Sequence, residues 1–115
     1  MKHSGQIVLF PFPHTDFVQG KQRPALLLAR LPGDYDDWLF CMISSQLRHC
    51  ERGFDELVHE ADDDFAESGL KVSSVIRVGR LAVAEGELIF GSIGQISSER
   101  LMRIKCRIGE WLIRD

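Results

Sequence analysis

The chain has 115 residues, 44% of them hydrophobic, which predicts one domain over residues 1–115 with a single core. Its formal net charge of −3 at pH 7 excludes a protein that holds nucleic acid through bulk positive charge, so any nucleic-acid site must be a local one. Its sequence has neither an apolar run of the about 20 residues that cross a bilayer nor a signal-type N-terminal stretch, so we expect a cytoplasmic location.

The first two predicted elements are strands joined by a polar loop. Residues 6–12 are apolar and rich in strand-forming side chains. Residues 25–28 are a short apolar run, typical of a buried strand. Arg23 stands directly before Pro24, and a proline favours extended geometry at the residue before it. We therefore expect the guanidinium of Arg23 to be held at the mouth of a buried strand.

The middle of the chain predicts three further elements. A third strand is predicted over the apolar residues 38–43, and a weaker one over residues 54–58. The acidic segment 61–69 is predicted to be a solvated loop that contains at most one helical turn. Residues 74–82 alternate like a strand, and Gly79 inside them indicates a bulge or a close backbone approach.

The end of the chain changes from strand-like to helical periodicity. Residues 87–90 predict a last short strand. Beyond them, apolar side chains recur at spacings of three and four, as on one face of a helix, and Ser97 is a suitable N-cap. Short strands followed by one amphipathic helix predict a mainly β fold with a C-terminal helix: a small, strongly bent antiparallel sheet or barrel that the helix covers. The helical stripe consists of Leu101, Ile104, Ile108 and Trp111.

Arg23 is the first candidate for chemistry, because an arginine presents paired N–H donors to a phosphate and keeps its charge. An ion pair with a loop carboxylate such as Asp16 explains Arg23 equally well. Ser44 and Ser45 end a predicted strand, where hydroxyls can donate to a phosphate or serve a turn. The amide of Gln46 can bind a base or a phosphate, although exposure to solvent is the simpler explanation.

Three other side chains are weaker candidates. Arg77 and Arg80 lie in the strand predicted over residues 74–82, where a long cation either reaches the sheet edge, the slightly favoured alternative, or faces a ligand. His14 lies in the first loop, and an imidazole suits general acid or base catalysis. A surface histidine without such a role is nevertheless the commoner case.

Metal and redox chemistry are not indicated. The three cysteines are widely spaced, which argues against a disulfide framework and a zinc site, so we expect reduced, mostly buried thiols. His49, beside Cys50, and His59 have little around them in the sequence that suggests chemistry. P-loop, HExxH and GxSxG motifs are missing from the sequence. We therefore predict neither a metal nor a cofactor.

Short motifs follow one another along nearly the whole chain: GQIV at 5–8, FP at 12–13, QRPALLL at 22–28, ISSQ at 43–46, GLK at 69–71, SVIR at 74–77 and IGQIS at 93–97. In this order they resemble the MazF/PemK family of toxins from bacterial toxin–antitoxin pairs. The resemblance implies an SH3-like β-barrel and a homodimer. It also implies a metal-independent endoribonuclease that cuts single-stranded RNA and is bound by a cognate antitoxin.

The resemblance also assigns site residues. The arginine of the RP motif is Arg23, the hydroxyl after the third strand is Ser44, and the arginine of the SVxR strand is Arg77; these are the catalytic candidates. The family's acid two residues further on is Gly79 here, so its role is unfilled. His14 approximates a first-loop histidine of some members. We assign RNA contacts to His14, Lys21, Ser45 and Gln46, and base selection to Phe17 and the connector 48–53.

RNA supplies its own nucleophile, the 2′-OH, and its attack on phosphorus places negative charge on the phosphoryl oxygens. Arg23 is expected to stabilise this charge and Ser44 to donate to the phosphate, while Arg77 or His14 assists proton transfer. Two other functions stay open. The acidic balance and Gly79 favour a non-catalytic SH3-like binding module or a degenerate toxin. A gyrase poison like the CcdB toxins has the same barrel and needs neither Arg23 nor Ser44.

Overall fold

In the computed structural model, which describes residues 2–11 and 22–114, six strands form one antiparallel sheet. Their order in the sheet is β4-β5-β3-β2-β1-β6. Neither α-helix of these two ranges is long and apolar enough to cross a membrane. The elements are β1 (Gln6–Pro11), β2 (Gln22–Arg30), β3 (Asp37–Ser44), β4 (Glu56–Val58), α1 (Phe65–Ser68), β5 (Ser74–Glu85), β6 (Gly91–Gln95) and α2 (Ser98–Arg114), with 3-10 turns at Leu47–His49 and Gly86–Leu88.

A bulge in β5 bends the sheet. The pairing of β5 with β3 passes directly from Arg77–Met42 to Leu81–Cys41, so three residues of β5, including Gly79, lie opposite a single step of β3. Extra residues in one strand increase the local twist. The sheet therefore curls into a half-barrel. The predicted bulge and the predicted fold class, mainly β with a C-terminal helix, are both confirmed.

Both faces of the central strands are buried. Leu26 and Cys41 belong to the apolar cluster on the side of α2, whereas Ala25, Leu27 and Phe40 belong to a second cluster on the opposite face. This is why β2 and β3 are continuously apolar rather than alternating.

The three cysteines differ in exposure. Cys41 is buried, and its burial raises the pKa of its thiol. Cys50 is half-buried and Cys106 is exposed. All three are free, as expected, but the expectation of mostly buried thiols is wrong, because Cys50 is half-buried and Cys106 is exposed on α2.

The last strand is displaced from its predicted position. Residues 86–88 form a 3-10 turn and β6 begins at Gly91, so the strand predicted over 87–90 is wrong. Gly94 shows the reason, because a Cβ there would collide with the backbone oxygen of Glu67 in α1. The close approach of α1 requires a glycine, and glycine weakens the strand signal in the sequence.

Gly94→Ala is expected to lower the free energy of unfolding by about 1–3 kcal/mol, the usual cost of overpacking, because the backbone of α1 must move to admit the methyl group. The matched control is Gly109→Ala in the middle of α2, where a Cβ meets nothing within 4 Å. It is expected to raise the free energy of unfolding by about 0.5–1 kcal/mol. Urea unfolding measures both changes, and changes of the same sign would contradict this packing.

The start and the apolar face of α2 agree with prediction. Ser97 Oγ accepts a hydrogen bond from the backbone N–H of Arg100 at 3.2 Å, which confirms the N-cap. Ile104 is fully buried against the sheet. Near the other end of the helix, the ring of Trp111 meets Phe54 edge-on, with ring centroids 5.2 Å apart. The predicted stripe therefore faces the core.

A buried arginine joins α2 to the acidic segment. Arg100 is 6% exposed, and its guanidinium donates to both carboxylate oxygens of Asp64, at 2.8 Å from Nε and 2.9 Å from Nη2. It also donates to Asp62 Oδ2 at 2.9 Å and to Glu56 Oε1 at 3.0 Å. The prediction that this segment is a solvated loop is therefore wrong at Asp62 and Asp64, which are ion-pair partners of the helix.

This cluster predicts acid sensitivity. Hydrogen bonds from Arg100 lower the pKa of Asp64 to about 2, from an ordinary value of 3.8. A carboxyl whose pKa is lower in the folded state stabilises the fold above its unfolded pKa, and this contribution disappears as pH falls through the folded pKa. The difference in unfolding free energy between the wild type and Asp64→Asn is therefore expected to shrink by about 2 kcal/mol between about pH 5 and pH 2.

Urea unfolding at several pH values measures this difference. Asp34→Asn, at an exposed loop position, is the matched control. A wild-type advantage over Asp64→Asn that stays constant down to pH 2 would contradict the contribution of the ion pair.

Candidate functional site

Arg23 lies near the beginning of β2, where it pairs with Phe10 of β1 and is half-buried. The next residue, Pro24, pairs with Leu9. The extended geometry predicted for the residue before the proline is therefore present. The backbone position of Arg23 is fixed by the β1–β2 ladder.

The register of β2 and β3 brings Ser44 towards Arg23. The ladder between these strands begins with the pair Ala25–Met42. Arg23 and Ser44 each lie two residues beyond this pair, so their side chains point to the same face of the sheet as those of Ala25 and Met42.

Arg77 lies on the same face. It pairs with Met42 on the other side of β3, and Ser44 pairs with Val75. Side chains two residues apart in a strand point to the same face. Arg23, Ser44 and Arg77 are thus on one face of three adjacent strands, opposite to the face that α2 covers.

Arg77 lines a cleft of about 220 Å³ beside the bulge of β5. Its Nε is buried and has no hydrogen-bond partner among residues 2–11 and 22–114. Arg77 as a whole is half-buried. The cleft is lined by His49, Glu51, Phe54, Asp55, Arg77, Gly79 and Arg80.

The sequence reasoning missed His49. The 3-10 turn after β3 folds back, so that His49 Nδ1 lies 3.1 Å from Ser44 Oγ. The same hydroxyl oxygen accepts a hydrogen bond from the backbone N–H of Gln46 at 3.0 Å. The signal in the sequence was a serine at a strand end with a histidine five residues later. The conformation of the 3-10 turn between them is what brings the two side chains into contact.

Two acidic side chains lie in the cleft wall. Asp55 is buried and structural, since its Oδ1 accepts from the N–H of Val78 and its Oδ2 from the N–H of Glu51, both at 2.9 Å. Glu51 is exposed. A Cβ at Gly79 would lie 3.0 Å from the ring of Phe54, so this position leaves little room for an acidic side chain.

The predicted RNA-contacting residues are only partly described. Ser45 and Gln46 are both exposed on the connector after β3, and Gln46 Oε1 accepts a hydrogen bond from Arg48 at 3.1 Å. They lie on the same connector as His49. The predictions that fall on His14, Asp16, Phe17 and Lys21 lie outside the described residues.

Comparison with protein families agrees with the motifs and the fold. A family model described as PemK-like, MazF-like toxin of type II toxin-antitoxin system matches residues 3–112 of the 115. None of the curated proteins matches the chain. The family match includes every strand of the sheet and most of α2. The chain therefore belongs to the PemK-like, MazF-like toxins of type II toxin–antitoxin systems.

Proposed function

We propose that this chain is the toxin of a type II toxin–antitoxin pair and acts as a metal-independent endoribonuclease on single-stranded RNA. One observation supports the proposal: Arg23, Ser44 and Arg77 lie on one face of three adjacent strands. We further propose that the toxin acts in the cytoplasm, is a homodimer and is inhibited by a cognate antitoxin. Sedimentation velocity tests the homodimer. Rescue of growth when the antitoxin is co-expressed with the toxin tests the inhibition.

The reaction uses the substrate's own hydroxyl. The 2′ oxygen forms a bond to the adjacent phosphorus as its proton leaves, and the bond from phosphorus to the 5′ oxygen breaks. The products are a 2′,3′-cyclic phosphate and a 5′-OH, with the departing 5′ oxygen gaining a proton. Negative charge builds on the phosphoryl oxygens, where a fixed donor is typically worth about 2.7–4 kcal/mol.

Arg23 and Ser44 supply such donors. The guanidinium of Arg23 can direct two N–H groups to the phosphoryl oxygens, and its charge persists at any pH of interest. Ser44 donates its hydroxyl hydrogen to the same phosphate. Both residues belong to hydrogen-bonded strands, so little reorganisation is needed when charge develops.

Arg77 supports an anionic ligand. The side chain of Arg77 lines the cleft, and its guanidinium keeps a positive charge that attracts a phosphate there. Arg77 or His14 assists protonation of the departing oxygen. The exposed Ser45 and Gln46, together with Lys21, contact the RNA on either side of the cut.

End-group analysis tests the proposal. Long single-stranded RNA is incubated in EDTA with the wild type, with Ser44→Ala and with Ser92→Ala, an exposed serine on β6 that serves as control. We expect cyclic phosphate and 5′-OH ends from the wild type and the control, and about 10²–10³-fold slower cleavage by Ser44→Ala. If the wild type leaves all RNA intact, the proposal is wrong; inhibition of gyrase in the same preparation would then identify a gyrase poison.

A further inference from the structure

We propose that His49 is the general base that removes the proton from the attacking 2′-OH, and that Ser44 holds its ring in the orientation this requires. The inference rests on the proposed function and assigns a residue to a step that the sequence left without one. Gly79 carries no acid, whereas His49 lines the same cleft as Gly79 and Arg77. The cleft thus offers an imidazole near the position where a carboxylate is missing.

The hydrogen bonds of Ser44 are the basis for assigning a tautomer to His49. A hydroxyl has one hydrogen to donate and two lone pairs that accept. One lone pair of Ser44 Oγ accepts from the N–H of Gln46, and His49 Nδ1 lies 3.1 Å away. When Nδ1 carries the proton and donates it to the second lone pair, the hydroxyl hydrogen is left to bind the phosphate. The unprotonated Nε2 of His49 is then the nitrogen that accepts the proton of the 2′-OH.

The opposite tautomer does not support both roles. If His49 carried its proton on Nε2, Ser44 would donate its only hydrogen to Nδ1 and would have none for the phosphate. The ring would also have no lone pair left for the 2′-OH. A single arrangement therefore serves both residues, with the histidine ring oriented by the hydrogen bond at its other nitrogen, as in activated nucleophile–base pairs.

The other groups in the cleft are less suited to accept this proton. Both oxygens of Asp55 already hold backbone N–H groups. Arg77 and Arg80 are cations, as is Arg48 on the turn that carries His49. The exposed Glu51 is the one rival carboxylate among the described lining residues, and it receives its own test below.

The proton count balances. The 2′-OH transfers its proton to Nε2 as the bond from the 2′ oxygen to phosphorus forms. The bond from phosphorus to the 5′ oxygen breaks, and that oxygen takes up a proton from solvent, directly or through Arg77 or His14. The imidazolium then returns its proton to water. No oxidant, reductant or metal is consumed or required by this step.

His49→Asn is the decisive variant, because its side-chain N–H can replace Nδ1 as a donor to Ser44 but it has no basic nitrogen. We expect kcat to fall by about 10²–10⁴-fold, the usual range for a general base, with KM nearly unchanged. His3→Gln, which removes an exposed histidine that does not line the cleft, is the control and is expected to keep the wild-type rate. Glu51→Gln tests the rival carboxylate, and its kcat is expected to fall far less than that of His49→Asn.

The pH profile separates catalysis from positioning. Histidines change charge between about pH 5 and pH 8, so a histidine base makes the wild-type rate rise with pH in this range. His49→Asn is expected to lose this rise. In the free wild type, ring ¹⁵N signals are expected to show neutral His49 protonated at Nδ1, and Ser44→Ala is expected to reduce that preference.

Each outcome decides the matter. If the wild type cleaves RNA and His49→Asn cleaves it equally fast, His49 is not the base, although the proposed function stands. Loss of activity in Glu51→Gln alone would transfer the role to Glu51. A neutral ring protonated at Nε2 would overturn the arrangement without any activity measurement. If the wild type cleaves no RNA, both the proposed function and this assignment are wrong.

Discussion

Arg23→Ala is expected to lower the rate of RNA cleavage by about 10²–10³-fold, because it removes the donor fork that faces the charge developing on the phosphate. Arg23→Lys is expected to restore only part of the loss, since an ammonium cannot reproduce the planar, two-donor geometry. Single-turnover cleavage of one labelled RNA measures both variants.

Arg30→Ala is the matched control for this experiment. Arg30 lies at the opposite end of the same strand, is exposed, and donates to the backbone oxygen of Tyr35 at 3.0 Å. Its removal is expected to leave cleavage unchanged, because Arg30 lies at the end of β2 far from Arg23. Full activity in Arg23→Ala, or equal losses in both variants, would refute the role given to Arg23.

Arg100→Met is expected to lower the free energy of unfolding by about 3–5 kcal/mol, the usual effect of removing one partner of a buried ion pair. Asp64 is 8% exposed and Glu56 6%, so the variant leaves two carboxylates buried with fewer partners. The cost comes mainly from these uncompensated charges rather than from the lost attraction. Urea unfolding, with the midpoint and slope both measured, gives the change.

Arg103→Met provides the comparison for this variant. The side chain of Arg103 is 51% exposed, yet it donates to the same Glu56 Oε1 that accepts from Arg100, at 2.8 Å. Exposed ion pairs typically contribute about 0–1 kcal/mol, so the effect is expected to be several-fold smaller. Equal destabilisation by the two variants would show that burial is not what makes the Arg100 cluster important.

Local patterns predicted most elements of this fold. The apolar runs at residues 25–28 and 38–43 identified the two central strands, and the spacing of three and four identified α2. The glycine at position 79 identified the bulge. These features depend on neighbours within a few residues, which is why the sequence expresses them directly.

Features that depend on distant contacts were missed. Gly94 is required by the approach of α1 from another part of the chain, so its strand looked too weak in the sequence. The partners of Arg100 lie up to 44 residues earlier, and the acidic segment therefore resembled a solvated loop. Charge patterns within the segment itself carry no information about such a partner.

The candidate site was predicted in the same uneven way. Pro24 pointed to a fixed Arg23, and the family resemblance singled out Ser44 and Arg77. These three residues share a face because of the register of β2, β3 and β5. A slip of one residue in one strand would have placed its side chain on the opposite face of the sheet. His49 was dismissed because its contact with Ser44 arises from the turn between them and from no recognisable motif.

The separation between Arg100 and its partners has a consequence for synthesis on the ribosome. The strands that carry Arg23, Ser44 and Arg77 are made before α2, so the helix-side face of the nascent sheet remains open to water and to chaperones until α2 emerges. Contacts between Arg100 and partners up to 44 residues away form more slowly than a hairpin, because a longer loop must be closed at a higher cost in entropy. Docking of α2 is then a late folding step, which follows the pairing of the strands that precede it in the chain.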